Sequence, residues 1–380
     1  MAQIEASLSF SERGVIMKIV VGMDLNDEQK KAFSEAAAGH EIAFIGQGKL
    51  TLENAGDADF VIGNPPVSLV PELGRLKVLQ LNSAGVDNYI AVMRELRKKQ
   101  QGAIFSAAKT EACAQAEAYV QAEAYVQAEA YVQAEACVQA ETAKLCNANG
   151  AYSLTISEHM LAMLLTLIKK LYIYRDFQTQ STWGDLGKWG GSTVSSIYGS
   201  RVLVLGLGDI GLRFARAVKA LGAHVIGVKR TMSEKPDYVD ELYTIDDLDE
   251  VLPTADMVAM VLPETAQTRG ILSAERIASM KQGAFVVNEG RGSAIDQDAL
   301  VEALNSGHLG GAALDVTSPE PLPSDNPLWK AKNCFITPHV GGGYTLPQTK
   351  VYILEIALAN LKAFLAGGKL VNEIDLEKGY

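Results

Sequence analysis

Cysteine is scarce in this chain of 380 residues, which contains only four. They lie far apart or inside a repeat, and no pair has the spacing of metal ligands. They are Cys113, Cys137, Cys146 and Cys334. Residues 1–16 mix charged residues with scattered apolar ones and lack the continuous apolar stretch of a secretory signal. We therefore expect reduced thiols, no metal site and a cytoplasmic protein.

Positive charge and long apolar runs are also lacking. The 34 Lys and Arg residues are outnumbered by 45 Asp and Glu residues, so the formal net charge is -11 at pH 7. No basic cluster stands out, which argues against a nucleic-acid surface. The most apolar helix-like run, residues 160–174, is interrupted by Lys169 and Lys170 and falls short of the roughly 18 apolar residues of a membrane span. The sequence thus predicts neither a nucleic-acid nor a membrane partner.

Apolar residues make up 48% of the chain, enough to fill two hydrophobic cores. A chain of this length exceeds the common size of one domain, so we expect two domains. Residues 1–16 precede the first strand pattern, at 18–23, and we interpret them as an extension without function.

Short apolar runs alternate with helical or turn segments through most of the sequence. After 18–23, the predicted strands of the first domain lie at 60–62, 78–81 and 103–105. After residue 200 the alternation is denser, with runs at 225–226, 257–262, 285–288, 312–315 and 335–336. Helices are predicted at 157–174 and 347–365. The pattern predicts an α/β protein with a doubly wound parallel sheet in its second half.

One segment fits neither pattern. Residues 111–140 form five tandem hexads, namely EACAQA, three copies of EAYVQA and EACVQA, and a degenerate sixth hexad follows at 141–146. A six-residue period distributes the tyrosines around a helix and leaves no buried stripe, whereas on a strand it weakly resembles a β-solenoid. The Ala, Glu and Gln content favours an exposed, partly frayed helix, with disorder as the alternative. We interpret the hexads as an insertion, at about 107–146, without a catalytic role.

An apolar run at 201–205 leads into a GxGxxG turn at 206–211, and a helical pattern follows. In such a turn Gly206 permits the tight bend, Gly208 lets the backbone approach a pyrophosphate, and Gly211 lets the helix lie close to the strand. The N-terminus of the helix then faces the phosphates. The segment therefore predicts a dinucleotide site.

Three further segments follow in order, with the sequences VNEGRG at 287–292, ALDVTSPEP at 313–321 and ITPHVGG at 336–342. Together with the glycine-rich turn they resemble the D-isomer-specific 2-hydroxyacid dehydrogenases, which include phosphoglycerate, glyoxylate/hydroxypyruvate and D-lactate dehydrogenases. The resemblance extends from residue 17 to residue 380, apart from the hexads. It implies a Rossmann nucleotide-binding domain, a smaller flavodoxin-like α/β substrate domain, and a cleft between them.

The resemblance also implies domain boundaries and an assembly. The substrate domain is expected at 17–150 and 345–380, interrupted by the insertion. The nucleotide-binding domain, with the interdomain helix, is expected at 151–344. The family resemblance further suggests a homodimer formed through the nucleotide-binding domain.

Reduction of a 2-oxoacid requires a cation for the carboxylate, a hydride donor, and a proton for the carbonyl oxygen. Arg291 suits the carboxylate because guanidinium can bind it through two donors. His339 suits the proton, since a carboxylate partner favours a charged imidazole, and Glu320 is the expected partner. We therefore interpret the protein as an enzyme that interconverts small 2-oxoacids and D-2-hydroxyacids.

The choice of cofactor is read from residues 229–231. An acidic residue for the adenosine ribose is usual at the end of the second strand, but the chain has Lys229, Arg230 and Thr231 there. These side chains could bind a 2′-phosphate, so the sequence predicts a preference for NADP over NAD.

The complete set of predicted site positions combines those derived above with those that the resemblance implies. For the substrate they are Ser83, Ala84, Gly85 and Arg291. For the cofactor they are Gly206, Gly208, Asp209, Ile210, Gly211, Lys229, Arg230, Thr231, Leu262, Pro263, Glu289, Gly290, Arg291, Asp315, His339, Gly341 and Gly342.

Two other functions are compatible with these motifs. One is oxidation of formate or phosphite on the same scaffold, although the formate pattern pairs the histidine with an amide and this chain has Glu320. The other is a dinucleotide-sensing binding protein similar to the C-terminal-binding corepressors. A turnover assay separates these alternatives.

Overall fold

The computed structural model describes residues 15–118, 142–184, 194–343 and 346–379. The chain divides into two compact units, with boundaries after Ala151 and after Lys350. The first unit contains both ends of the chain, and the second is the continuous segment between the two boundaries. Each unit is built on its own parallel sheet, as the α/β pattern predicted.

The sheet of the first unit has five parallel strands in the order β2-β1-β3-β4-β5. Its central strands β3 and β4 are short and buried along their whole length, as expected for a parallel sheet covered by helices. The strands are β1 (Lys18–Val21), β2 (Glu41–Phe44), β3 (Phe60–Ile62), β4 (Val78–Gln80) and β5 (Lys144–Cys146). The sequence analysis missed β2, a half-exposed edge strand.

The helices of the first unit show ordinary local signals. The helix α1 begins after Asn26, whose Oδ1 accepts a hydrogen bond from Gln29 N at 2.8 Å, while Gln29 Oε1 accepts one from Asn26 N at 3.0 Å. This reciprocal capping satisfies two backbone donors at the helix start. The helices are α1 (Asp27–Ala36), α2 (Leu52–Ala55) and α3 (Asp87–Ala118).

The prediction of a strand at 103–105 is wrong, because these residues lie within α3. A short apolar run cannot be assigned to strand or helix from periodicity alone, and the surrounding Gln, Ala and Lys residues favour a helix. The fifth strand is instead β5, which pairs with β4 through Leu79 and Leu145. The first hexad and the start of the second are helical, as far as Ala118, and residues 119–141 lie outside the described residues.

The position of β5 also corrects the proposed limits of the insertion. Gln100 Nε2 donates to Leu76 O at 2.8 Å, and Gln100 Oε1 accepts from Ala143 N at 2.8 Å. Arg97 Nε donates to Ala143 O at 2.7 Å. The chain that leaves near Gln100 therefore returns to the same place at Ala143. Residues 144–146 belong to the sheet, so the predicted insertion would end before β5 rather than at residue 146.

The sheet of the second unit has seven parallel strands in the order β12-β11-β10-β9-β6-β7-β8. The chain builds outward from β6 in one direction and then crosses to β9 and builds outward in the other. The carboxyl ends of β6 and β9 thus mark a topological switch point, where doubly wound sheets bind ligands. The strands are β6 (Arg201–Leu205), β7 (His224–Lys229), β8 (Glu241–Thr244), β9 (Met257–Met260), β10 (Phe285–Asn288), β11 (Gly311–Leu314) and β12 (Cys334–Ile336).

The single helix predicted at 157–174 is two helices. They are separated at Lys170, which has a positive φ of 57° and is 4% exposed. Its Nζ lies 3.4 Å from Gly310 O and 5.7 Å from the centre of the Phe285 ring, so the break holds a buried cation against the sheet. The helices of this unit are α4 (Ser153–Ile168), α5 (Leu171–Thr179), α6 (Asp209–Ala220), α7 (Leu248–Val251), α8 (Ala274–Ser279) and α9 (Gln297–Ser306).

A last helix, α10 (Pro347–Leu365), has the bounds that the sequence predicted. Across the described ranges, no helix combines the length and the apolar character needed to span a membrane.

Candidate functional site

The glycine-rich turn joins β6 to α6. Two of its glycines are packed against backbone atoms, and the third is unobstructed. Gly206 has a φ of 104°, and a Cβ there would lie 2.9 Å from Val261 O. A Cβ at Gly211 would lie 2.0 Å from Gly206 O, whereas one at Gly208 would meet no atom within 4 Å. The turn therefore packs against the protein backbone at Gly206 and Gly211, and it leaves free space at Gly208, next to the N-terminus of α6. This arrangement fits a dinucleotide pyrophosphate.

The predicted ribose site lies at the end of β7, the neighbour of β6. Lys229 is half-buried, and its Nζ donates to Ser233 Oγ at 2.7 Å. Arg230 and Thr231 are exposed on the loop that follows. The strand end therefore presents two cations and a hydroxyl at the place where the family of dinucleotide folds binds the adenosine ribose.

The loops after β9 and β10 lie against each other. A Cβ at Gly290 would lie 2.7 Å from Leu262 N, so only glycine lets the two backbones approach this closely. Pro263 is exposed, and Glu264 accepts a hydrogen bond from Ser293 Oγ at 2.9 Å. The two loops thus form one continuous rim beside the glycine-rich turn of the same sheet.

Arg291 is held by a buried amide at the end of β10. Asn288 is 0% exposed, its Nδ2 donates to Arg291 O at 3.0 Å, and its Oδ1 accepts from Gly290 N at 3.0 Å. The half-buried Arg291 donates from Nη1 to Gly290 O at 2.8 Å. A Cβ at Gly292 would lie 2.0 Å from Thr317 C, which brings this loop against the loop after β11.

Glu320 and His339 form a hydrogen-bonded pair at the carboxyl ends of β11 and β12. Glu320 Oε2 lies 2.7 Å from His339 Nδ1, and Glu320 Oε1 accepts from Thr317 N at 3.0 Å. The His339 side chain is 50% exposed, so the ring remains accessible to a ligand. With Nδ1 engaged by the carboxylate, Nε2 is the nitrogen that can exchange a proton with a ligand.

Asp315 fixes the loop that carries His339. It is 3% exposed, and its backbone oxygen accepts from His339 N at 2.8 Å. Its carboxylate accepts from Thr337 Oγ1 at 2.5 Å, Val340 N at 2.9 Å and Gly341 N at 2.9 Å. The loop, which includes a positive φ of 54° at His339, is therefore held by one carboxylate along most of its length.

A buried pair next to Asp315 was missed by the sequence analysis. His159, on α4, lies with Nδ1 2.6 Å from Oε1 of Glu289, which had been assigned only an approach to the cofactor. Burial raises the pKa of Glu289 to about 7, and the hydrogen bond to Glu289 raises the pKa of His159. The two residues are 130 positions apart, and no local pattern joins them. The only signal was a carboxylate just after the apolar run at 285–287.

The loop predicted to bind the substrate carboxylate belongs to the first unit. Ser83 O accepts from Ala148 N at 2.9 Å, and Ala84 O accepts from Asn147 Nδ2 at 2.7 Å. Ser83 Oγ donates to Gly85 O at 2.9 Å. The segment after β5 therefore holds this loop in place, and its role in substrate binding stays a prediction.

Within the second unit, the three predicted catalytic residues all lie at the edge of the sheet formed by the carboxyl ends of its strands. Arg291 follows β10, Glu320 lies in the loop after β11, and His339 follows β12, and these strands are neighbours. The glycine-rich turn lies at the same edge, after β6, and Gly342 lies beside Ile156 and Tyr152 of the same unit. The edge thus combines an anion-binding turn, a cation and an acid–base pair.

Known proteins are similar to this chain over much of its length. Residues 161–341 match the family model described as D-isomer specific 2-hydroxyacid dehydrogenase, NAD binding domain. An uncharacterised protein of Corynebacterium melassecola is 34% identical over 239 residues, which are 63% of this chain and 76% of that protein. A hydroxypyruvate reductase of Blautia hydrogenotrophica is 32% identical over 215 residues, 56% of this chain and 66% of that protein.

Among solved structures, an NADPH-dependent glyoxylate/hydroxypyruvate reductase from Sinorhizobium meliloti, in complex with NADP and sulfate, has a TM-score of 0.69. It is 22% identical, and the match covers 96% of this chain and all of that chain, so it shows the fold. The family model, the sequence relatives and the two parallel sheets agree. The chain therefore belongs to the D-isomer-specific 2-hydroxyacid dehydrogenases, a family of oxidoreductases that use a nicotinamide dinucleotide.

Proposed function

We propose that the protein reduces small 2-oxoacids to D-2-hydroxyacids, and catalyses the reverse reaction, with Arg291, Glu320 and His339 as its catalytic residues. The observation that carries the proposal is the 2.7 Å contact between Glu320 Oε2 and His339 Nδ1. An imidazole held in this way by a carboxylate, at the edge that bears a dinucleotide turn, is suited to donate a proton to an oxygen that receives negative charge.

The chain's own residues divide the work between them. Arg291 binds the substrate carboxylate through two donors of its planar guanidinium and draws electron density from the adjacent carbonyl. His339 donates a proton from Nε2 to the carbonyl oxygen, and Glu320 stabilises the imidazolium before that transfer. In the oxidation direction His339 accepts the hydroxyl proton. The bound nicotinamide dinucleotide supplies or accepts the hydride.

The residues present fit that cofactor, and we infer a preference for NADP. The open face of Gly208 and the N-terminus of α6 would hold the pyrophosphate. Lys229, Arg230 and Thr231 would hold a 2′-phosphate through charge-assisted hydrogen bonds. The NADP complex of the Sinorhizobium meliloti reductase is consistent with this preference. Leu262, Pro263, Glu289, Gly290, Asp315, Gly341 and Gly342 would complete the cofactor site.

We also infer that the first unit is the substrate domain, in which Ser83, Ala84 and Gly85 present backbone amides to the substrate carboxylate. The family resemblance supports a homodimer. Among the described residues Cys146 and Cys334 are free thiols, which fits a reducing cytoplasm. Light scattering of the purified protein tests the dimer.

A turnover assay tests the proposed reaction. Purified protein is mixed with NADPH and, separately, glyoxylate, hydroxypyruvate and pyruvate, and loss of absorbance at the reduced-nicotinamide band is followed. Oxidation of phosphite and formate with NADP and NAD is measured in parallel. Turnover of an oxoacid, with a D-product from hydroxypyruvate or pyruvate, supports the proposal. Turnover of phosphite or formate alone, or cofactor binding without any turnover, contradicts it.

A further inference from the structure

Three ionisable side chains meet beneath the loop that carries His339. His159 comes from α4, Glu289 directly follows β10, and Asp315 directly follows β11. A side-chain nitrogen or oxygen from each lies within 4.8 Å of those of the other two. The Glu289 side chain is 1% exposed and the His159 side chain 25%, so the group is largely withdrawn from solvent.

The hydrogen bonds of this group assign two different roles. Asp315 is a carboxylate fixed by its loop, whereas Glu289 and His159 share a hydrogen bond and form the titrating pair. Both Asp315 oxygens already accept hydrogen bonds from Thr337, Val340 and Gly341, so Asp315 acts as an anchored carboxylate rather than as a metal ligand. Glu289 is engaged by His159 through Oε1. Its Oε2 faces the loop, because a Cβ at Gly341 would lie only 2.3 Å from it.

The pair binds protons more tightly than two isolated side chains would. Burial, together with the charge of Asp315, raises the pKa of Glu289 to about 7, and the hydrogen bond to Glu289 raises the pKa of His159. The charge of His339 acts in the opposite direction and lowers the pKa of Glu289. Arg291 lies two residues farther along the same loop. The pair therefore gains a proton as the pH falls through neutrality, and its net charge becomes more positive by one unit.

This cluster lies where the proposed function places the reacting ring. The ring must contact the substrate carbon whose oxygen His339 protonates, and the His339 loop is hydrogen-bonded directly to Asp315. The nicotinamide ring is neutral when reduced and carries one positive charge when oxidised. A second positive charge buried nearby opposes the oxidised form and leaves the reduced form almost unaffected.

We propose that the His159–Glu289 pair makes the site discriminate between the oxidised and the reduced cofactor according to pH. The inference rests on the proposed function, because it requires the nicotinamide at this edge of the sheet. As the pH falls through neutrality the pair gains a proton, and the oxidised cofactor binds more weakly. By linkage, binding of the oxidised cofactor near pH 7 releases protons, whereas binding of the reduced cofactor does not.

The test measures cofactor binding without any oxoacid. Dissociation constants for NADP and NADPH are determined by calorimetry between pH 6.0 and 8.5. Their ratio is used because both molecules carry the same 2′-phosphate, whose own titration then cancels. We expect the ratio of the constant for the oxidised cofactor to that for the reduced cofactor to rise about tenfold toward pH 6.0.

His339 is a second imidazole near the ring, so its contribution must be removed. The measurement is therefore repeated in His339→Gln, and then with Glu289→Gln or His159→Gln added to that variant. We expect His339→Gln alone to retain the rise, and either added substitution to abolish it or to move it below pH 6.0. If the added substitutions prevent folding, the inference is tested by the number of protons released when each cofactor binds to His339→Gln at pH 7. This number is measured by calorimetry in two buffers of different ionisation enthalpy.

The outcomes are distinct. Saturable binding of both cofactors with a ratio independent of pH, or a rise that His339→Gln removes, overturns the inference and leaves the proposed function standing. Equal proton release with the two cofactors also overturns it. Failure of either cofactor to bind at any pH rejects the proposed function, and the inference with it.

Discussion

Glu320 connects two neighbouring loops of the second unit, because one carboxylate oxygen accepts from Thr317 N at 3.0 Å while the other lies 2.7 Å from His339 Nδ1. The ring is thereby oriented by a carboxylate that is itself positioned by the backbone. In the proposed function the imidazole of His339, rather than the carboxylate, is therefore the group that exchanges a proton with the substrate.

The first prediction concerns this pair. His339→Ala should lower kcat for oxoacid reduction by about 10² or more while the dissociation constant of NADPH changes little, because only proton transfer is lost. Glu320→Gln retains the shape of the side chain and should lower kcat by a smaller factor. Steady-state kinetics and cofactor titration measure both effects. An unchanged kcat in His339→Ala would remove this residue from the mechanism.

The second prediction concerns Arg291, which the buried Asn288 holds in place. Arg291→Lys keeps the charge but loses the two parallel donors, so KM for the oxoacid should rise by about tenfold or more, and kcat should fall. The matched control is Arg269→Lys, an exposed arginine of the same unit that pairs with Glu264. Identical oxoacid kinetics for Arg291→Lys and wild type would show that another cation binds the carboxylate.

The third prediction concerns the cofactor. Lys229→Asp combined with Arg230→Ser should reverse the preference for NADPH over NADH, with a change of at least about tenfold in the ratio of the two kcat/KM values. Lys235→Ser is the control, because Lys235 lies in the same loop and bonds Val239 O at 2.6 Å. A wild-type protein that already prefers NADH would contradict the assignment.

The fourth prediction compares two deletions in the insertion. Removing 107–140, which joins Ser106 to Glu141, keeps β5 and the contacts of Gln100 with Ala143. It should leave an active protein whose Tm is equal or higher, because long surface loops contribute little to stability. Removing 107–146 instead deletes β5, whose backbone pairs with β4, and should give insoluble protein.

Expression in the soluble fraction and thermal unfolding separate these two deletions. If the shorter deletion also loses soluble protein, or changes the mass measured by light scattering, the repeat has a structural role and our interpretation of it as a dispensable insertion is wrong.

The fifth prediction compares two adjacent glycines. Gly341→Ala places a Cβ 2.3 Å from Glu289 Oε2 and 2.9 Å from His159 Nδ1. Gly342→Ala instead places it 3.3 Å from the flexible end of Ile156 and 3.5 Å from Tyr152 Cδ1. Gly341→Ala should destabilise the protein by about 1–3 kcal/mol and lower kcat, since the loop that carries His339 must move. Gly342→Ala should be close to wild type in denaturant unfolding and in kinetics. Equal behaviour of the two variants would contradict the close packing.

Much of the fold is encoded locally and could be predicted. Apart from the edge strand β8, the strands of the second sheet contain continuous apolar runs. The turn after β6 requires glycine because Cβ atoms at Gly206 and Gly211 would meet backbone oxygen atoms. The motifs that carry Arg291, Glu320 and His339, and their order along the chain, could also be read from the sequence. Each of these features depends on residues that are close together in the sequence, so the chain by itself determined them.

Other features were decided only by the tertiary structure. Residues 103–105 have a more strand-like composition than Lys144–Cys146, yet only the latter pair with β4. Register is set by the neighbouring strand and by the contacts of Gln100, which no local pattern reports. The extra strands β2 and β8 were missed because both are half-exposed edge strands without a continuous apolar run.

The His159–Glu289 pair belongs wholly to this second class. A histidine on a helix and a glutamate after a strand are ordinary in sequence, and 130 residues separate them. Folding places them 2.6 Å apart next to Asp315, and burial then raises the pKa of Glu289 to about 7. The sequence determined which groups can ionise. The tertiary structure decided how tightly they hold their protons, because desolvation and the distances between charges exist only in the folded chain.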